Sequence, residues 1–270
     1  EVLFAIEGVG EQTAAVQGGK AVTVFHMENV HLWDGVADPY LYSIAASLPG
    51  GDAVAVNFGC RKIDFKPDTG FWLNGRNVRL VGAARHQDRA GLGNALTAAE
   101  HEEDMQILRD MGANTVRLAH YQHAQYFYDL CDKYGLVAWA EIPYITEHMP
   151  EATANTLSQM EELVLQNYNH PSIICWGLSN EITVTTGVTE NLTANHRLLN
   201  DLCHRLDATR PTTMAHAFML DPNDPFVQLP DICSYNLYYG WYLGELQQND
   251  EFFDTFHKNH PDRVIGLSEF

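Results

Sequence analysis

Two carboxylates in this chain each close an apolar run. The first run is Ile173-Ile174-Cys175-Trp176-Gly177-Leu178-Ser179-Asn180-Glu181, and the second is Val264-Ile265-Gly266-Leu267-Ser268-Glu269. A buried strand that ends abruptly in an ionisable group is how an α/β enzyme presents an acid at one mouth of its sheet. If Glu181 and Glu269 converge, they are equipped to cleave a glycosidic bond, one as proton donor and the other as nucleophile. Trp176, earlier on the same run as Glu181, offers an apolar wall beside which a carboxylic acid can act as proton donor. Asn180 could hydrogen-bond a sugar hydroxyl next to the leaving oxygen. The competing reading is a surface Asn-Glu pair that opens a loop, and the position directly behind a buried strand speaks against it.

A carboxylate nucleophile needs hydrogen-bond donors around it. Tyr238 and Arg117 fall at the ends of other apolar runs and are expected to serve Glu269. For Arg117 an ion pair inside the mouth is an equally good reading. Arg85-His86-Gln87-Asp88 and Leu118-Ala119-His120-Tyr121 also follow apolar runs. Asp88 and His120 could each bind sugar hydroxyls, or be satisfied loop residues, and His86 could pack within the mouth. Asn236-Leu237-Tyr238-Tyr239-Gly240-Trp241-Tyr242 is rich in aromatic rings, whose faces stack on the C–H faces of pyranoses. Trp241 is therefore a candidate sugar platform, with an aromatic packing cluster as the alternative.

Other chemistries fail on spacing. His101-Glu102-Glu103-Asp104 begins like a zinc-protease helix, but Met105 stands where a second histidine is required. Gly91-Leu92-Gly93 lacks the third glycine of a dinucleotide loop. Glu147-His148 is a poor ligand pair because its members are adjacent. Five widely spaced cysteines contain no Cys-x-x-Cys pair and read as buried reduced thiols. No metal and no cofactor is expected. A net charge of −19 argues against a nucleic-acid surface, and no apolar run approaches the ~20 residues needed to span a bilayer.

The elements that must position these residues change character along the chain. Residues 1–66 favour strands (Ala21–Phe25, Leu41–Ala45, Ala53–Phe58) separated by glycine-rich turns, as in an immunoglobulin-like β-sandwich that is incomplete at its N-terminal edge. From residue 67 to 270, short apolar runs alternate with amphipathic helices. Strands are expected at Val78–Ala83, Thr115–Leu118, Leu136–Ala140, Ser172–Leu178, Thr212–Ala217, Ile232–Tyr235 and Val264–Leu267. Thr97-Ala98-Ala99-Glu100 is a capping box that opens a helix, Gly112 is placed to end it, and Gly135 to end the next. A doubly wound sheet can be written from this pattern. However, polar and aromatic residues close nearly every strand at its C-terminal end, which is the habit of a (β/α)8 TIM barrel. The expected fold is α/β, a barrel lacking its last unit and preceded by the sandwich, in a piece of a longer protein.

Several motifs in order resemble glycoside hydrolase family 2. They are Phe71-Trp72-Leu73-Asn74-Gly75-Arg76 leading to Gly82-Ala83-Ala84-Arg85-His86-Gln87-Asp88, Asn114-Thr115-Val116-Arg117-Leu118-Ala119-His120-Tyr121, Asn169-His170-Pro171-Ser172-Ile173, Trp176 to Glu181, and Ser268-Glu269-Phe270. The resemblance implies a general acid/base at Glu181 and the nucleophile of a retaining mechanism at Glu269. It also implies substrate or nucleophile contacts at Asn180, His120, Asp88 and Tyr238. Ala83-Ala84 and Gln87 depart from the family's usual Gly-Val-Asn-Arg/Lys-His-Glu. The acid–x–His metal motif of large bacterial β-galactosidases is not reproduced at 147–148.

The activity expected from this resemblance is a retaining exo-β-glycosidase, first a β-galactosidase. A β-glucuronidase is the alternative, since its loop reads Asn-Arg-Tyr-Tyr-Gly-Trp-Tyr and this chain has Leu237 in place of the arginine. A non-catalytic carbohydrate-binding piece is the alternative of another class. The expected partner is a carbohydrate substrate, with neither nucleic acid nor membrane. Homo-oligomerisation through a longer protein, and a bacterial cytoplasmic or periplasmic location, stay open.

Overall fold

The computed structural model describes residues 1–270. Its main body is a sheet of seven parallel strands, β8 (Gly82–Arg85), β9 (Thr115–Leu118), β10 (Val137–Glu141), β11 (Ile173–Asn180), β12 (Thr212–Ala217), β13 (Ile232–Asn236) and β14 (Val264–Glu269). The strands lie side by side in chain order with no reversal. A doubly wound sheet would reverse direction at a switch point, so this order decides between the two readings. The outer strands β8 and β14 curl round to within 8 Å of each other, Cα to Cα. The result is a partial TIM barrel. β11, with pairing partners on both sides, is buried at all eight positions, as expected of a parallel strand covered on both faces.

Five helices link these strands: α1 (Ala98–Asp110), α2 (Gln125–Tyr134), α3 (Thr153–Asn167), α4 (Glu190–Leu206) and α5 (Gln248–Asn259). The capping box that opens α1 is formed, with the Thr97 backbone N–H donating to Glu100 Oε2 at 2.7 Å. Met105 and Leu108 of α1, Met160, Leu163 and Val164 of α3, and Leu199 and Leu202 of α4 pack with Leu118, Ala138, Trp176 and Leu178 into one core between helices and sheet. The regular alternation expected from the sequence breaks once, because residues 218–231 join β12 to β13 without a helix. Pro222, Pro225 and Pro230 deny that segment helical N–H donors. Instead Asp221 and Asp224 carboxylates accept from the backbone N–H groups of Asn223 and Phe226, two residues on.

The first barrel strand also differs from expectation, beginning at Gly82 rather than Val78. Upstream, Arg76–Asn77 (β7) pairs with Gly70–Leu73 (β6), which pairs with Ile63–Lys66 (β5), to make a three-stranded antiparallel sheet. Phe71 and Leu73 of this sheet pack with Trp33 on Val137, Ile174 and Cys175, near the N-terminal ends of β10 and β11. The small sheet therefore covers the barrel end opposite the strand C-termini. Arg61 adds to this seal, donating to the carbonyls of Pro171 and Ile173. His170, of the Asn169-His170-Pro171 motif, lies 2.6 Å from Asp132 at the same end, and Asp132 also accepts from the Ser172 N–H.

Residues 1–58 form one antiparallel sheet in the order β2 (Gly10–Ala14), β1 (Val2–Ile6), β3 (Tyr42–Ser47), β4 (Ala53–Phe58). The expected sandwich is thus represented by a single four-stranded sheet, with no second sheet facing it within 1–66. Ala21–Phe25 carries β-forming side chains but no strand pairing, and Val22 and Val24 are exposed. A β-former becomes a strand only where an edge is free to pair with it. All five cysteines are free thiols, four of them buried.

Gly135 joins the N-terminal segment to the barrel. It ends α2 with φ +78°, and a Cβ there would lie 2.2 Å from the carbonyl carbon of Gly35. Gly112, after α1, has φ +75° with open space around it. Gly112→Ala should therefore cost only the left-handed backbone, about 1 kcal/mol. Gly135→Ala adds a backbone clash and should cost about 2–4 kcal/mol. Urea unfolding of the two variants checks the difference, and equal midpoints would remove the close approach as its cause.

Candidate active site

The C-terminal ends of the strands bring six of the nine expected residues into one hydrogen-bonded cluster. Arg117 is its hub, near the end of β9 and buried. Its Nε donates to Glu141 Oε2 at 2.9 Å and its Nη1 to Glu269 Oε1 at 2.6 Å. Its Nη2 donates to Glu141 Oε1 at 3.0 Å and to Asn180 Oδ1 at 2.8 Å. Burial opposes the guanidinium charge, but Glu141 and Glu269 outweigh it and hold Arg117 above its ordinary pKa. One planar fork thus fixes two carboxylates and an amide.

Glu269 ends β14 with a donor on each oxygen. Oε1 accepts from Arg117, and Oε2 accepts from the Tyr238 hydroxyl. Burial, then the bond to Glu269 and the charges of Glu269 and Glu181, push the Tyr238 phenol well above its usual range, so it stays a donor. The strand register places Asn236 opposite Glu269, with the Leu237 N–H donating to the Glu269 carbonyl at 2.9 Å. That pairing carries Tyr238, two residues beyond Asn236, over the carboxylate.

Glu181 lies just past the end of β11 and takes φ +44°, a left-handed value uncommon for a side chain of its size. Its backbone N–H donates to the Ala215 carbonyl at 2.8 Å, and its Oε1 accepts from Asn236 Nδ2 at 3.0 Å. Asn236 Nδ2 also reaches Asn180 Oδ1 at 3.2 Å, while Ser268 donates to Asn236 Oδ1 at 2.7 Å. The chain Glu181–Asn236–Asn180–Arg117–Glu269 therefore joins the two carboxylates through three side chains. The pairing of β11 with β12 shifts between Gly177 and Asn180, an irregularity that lets Asn180 reach the mouth while Trp176 faces the helices. Trp176 is accordingly not the apolar wall expected beside Glu181, because its indole N–H donates to Asp207 at the end of α4.

His120 completes the cluster from the loop after β9. Its Nδ1 donates to Glu141 Oε1 at 2.8 Å, and its Nε2 lies 3.7 Å from Glu269 Oε1. His86 does not enter the hydrogen-bonded network. It is exposed and meets His120 edge to face, ring centroids 5.0 Å apart. Asp88 is exposed on the same loop and Trp241 is 76% exposed, and neither enters the hydrogen-bonded cluster. Trp241 packs edge-on against Tyr242, which packs edge-on against Tyr238. This gives a run of aromatic rings from the Glu269 donor outward. Arg85, next to His86, turns away into the helix layer, where it meets Asp104, His101 and His123. His148 uses both ring nitrogens, one with the Tyr144 hydroxyl and one with Asn191 at 2.5 Å.

Glu141 and Asn236 are in the cluster but were not among the residues expected from sequence. Glu141 is fully buried, and burial opposes its charge. Arg117 and His120 more than offset this and hold it below the usual carboxylate range. Both residues carried the signal that exposed Glu181 and Glu269, since Val137-Ala138-Trp139-Ala140-Glu141 and Ile232-Cys233-Ser234-Tyr235-Asn236 are apolar runs closed by a polar residue.

Residues 66–266 match the family model described as glycosyl hydrolases family 2, TIM barrel domain. A β-glucuronidase of Bacteroides fragilis is 41% identical over 257 residues, covering 90% of this chain and 36% of the relative. A β-galactosidase of Thermoanaerobacterium thermosulfurigenes is 35% identical over 203 residues, covering 72% of this chain and 27% of the relative. Among solved structures, a Bacteroides uniformis β-glucuronidase superposes with a TM-score of 0.87 at 31% identity, covering 98% of this chain and 35% of that one. The chain thus spans about a third of the length of these relatives.

Proposed function

Because the chain belongs to glycosyl hydrolase family 2, we propose that it carries the catalytic carboxylates of a retaining β-glycosidase, with a β-glucuronide as the preferred substrate. Glu181 donates its proton to the glycosidic oxygen as Glu269 attacks the anomeric carbon. The C–O bond to the leaving group breaks and a glycosyl ester forms on Glu269. Glu181, now a carboxylate, takes a proton from water, and the water oxygen displaces Glu269 from the same anomeric carbon. Two inversions return the starting configuration. The observation that carries this reading is the Glu269 carboxylate with one donor on each oxygen, tied through Arg117, Asn180 and Asn236 to the second carboxylate.

In this reading His120, Asp88 and Trp241 contact substrate, Asn180 and Tyr238 serve both substrate and nucleophile, and His86 supports His120. Residues 1–66 are read as an immunoglobulin-like domain ahead of the barrel at 67–270. That division is supported by the antiparallel pairing of β1 to β4 and the parallel pairing of β8 to β14.

The sequence alone ranked a galactoside first, and the names of the relatives favour a glucuronide instead. The β-glucuronidase of Bacteroides fragilis is 41% identical over 90% of the chain. The Thermoanaerobacterium relative keeps the β-galactosidase reading in second place. Chromogenic β-glucuronide and β-galactoside compared on one preparation test this. The uronide should have the higher kcat/KM by at least about tenfold, about 1.4 kcal/mol of differential transition-state binding. Equal or inverse rates would return the galactoside to first place. Proton NMR of the first-formed sugar should show the β-anomer, and an α-anomer would end the double-displacement mechanism.

A further inference from the structure

A cavity of about 430 Å³ lies between the β12–β13 connection and α5. Its size falls within the roughly 300–1,000 Å³ of small-molecule sites. One face of α5 lines it, with Gln248, Glu251, Phe252, Thr255, Phe256 and Asn259 at helical spacing. Phe218 and Tyr239 supply aromatic surface from the other side, and Asp221 a second carboxylate. No lysine, arginine or histidine lines the cavity. Rings on which an apolar face can lie, together with carboxylate and amide groups to accept from hydroxyls, suit a neutral sugar. The two acids and the lack of a cation disfavour an anionic one.

The cavity is joined to the hydrogen-bonded cluster through the chain itself: Tyr239 lines it at one end, and the preceding residue, Tyr238, donates to Glu269. We propose that this cavity is a second carbohydrate site, holding one neutral pyranose of an oligosaccharide substrate whose scissile sugar sits at Glu181 and Glu269. The assignment of the scissile end rests on the catalytic reading above, whereas the affinity of the cavity for a neutral sugar stands apart from it.

The experiment is an amide-resolved NMR titration of the protein with methyl β-cellobioside as the neutral probe and methyl β-glucuronide as the anionic one. The cellobioside should move the Tyr239, Phe252, Thr255 and Asn259 amides in a saturable way. Phe252→Ala should weaken that binding by about tenfold or more, and Glu251→Gln and Asn259→Ala by about threefold each. Glu251 and Asn259 are exposed, so their variants keep the fold if Phe252→Ala does not. The glucuronide should leave these four amides in place and move those around Asn180 and Glu181. Cellobioside shifts confined to the mouth, shifts unaltered by all three variants, or no saturable shift overturns the second site. A glucuronide that fails to move the mouth while the cellobioside fills the cavity counts against the catalytic reading alone.

Discussion

Glu269→Ala is expected to lower kcat by about 10⁴-fold, some 5.5 kcal/mol of barrier, because in the proposed mechanism Glu269 is the group that forms the covalent bond to the anomeric carbon. Glu181→Ala should be as damaging for a substrate whose leaving group needs a proton. It should cost far less for a dinitrophenyl glycoside, whose leaving group departs unprotonated. Azide separates the two roles. In Glu269→Ala the anion fits the emptied space and attacks the substrate in place of the carboxylate, so a single inversion gives an α-glycosyl azide. In Glu181→Ala it attacks the glycosyl ester on the opposite face, so two inversions give a β-glycosyl azide. The surroundings of Glu269 suit the first outcome, since Arg117 Nη1 and the Tyr238 hydroxyl would both face the anion. The same azide anomer from both variants would mean that the roles are misassigned, and a Glu269→Ala variant with undiminished kcat would remove it from the chemistry.

The carboxylate pair was legible because strand burial leaves a strong mark, an apolar run cut off by an ionisable residue. The same mark stood at Glu141 and Asn236, and what hid their importance was distance along the chain. Arg117 bonds to Glu141 and Glu269, which are 24 and 152 residues away, and no local pattern announces such a partner. The parallel strands were legible for a related reason, since five of the seven are followed by an amphipathic helix. Strand register was not. The shift between Gly177 and Asn180 that takes Asn180 into the mouth, and leaves Trp176 among the helices, has no local sequence signature. At the N-terminus the reading relied on β-propensity, which shows that a segment fits a sheet without showing which edge it will find. Ala21–Phe25 found none, and β5 joined a sheet built from residues beyond the expected domain limit.

Glu141 holds the Arg117 hub of the proposed site, and the largest expected stability effect lies there. Its carboxylate is wholly buried and takes two hydrogen bonds from Arg117 and one from His120. Glu141→Leu removes these acceptors and leaves the guanidinium buried with less counter-charge, which typically costs about 3–5 kcal/mol. Arg117→Met added to Glu141→Leu should recover part of that loss, because the orphaned charge goes with it. Glu141→Gln keeps the shape and one acceptor, so it should fold. Without the second carboxylate oxygen the Arg117 fork is freer to turn, and kcat should fall by about ten- to a hundredfold with KM little changed. The pH dependence has a definite sign. Glu141 titrates lower in the folded protein than in the unfolded chain, so its contribution is fully present above the unfolded value of about 4.3 and is lost as pH falls through the folded one. Between neutral pH and that acid range, stability measured by urea midpoints should therefore drop more steeply for the parent than for Glu141→Gln. Parallel curves would show that Glu141 contributes nothing through its charge, and a Glu141→Leu variant as stable as the parent would show that Arg117 does not depend on it.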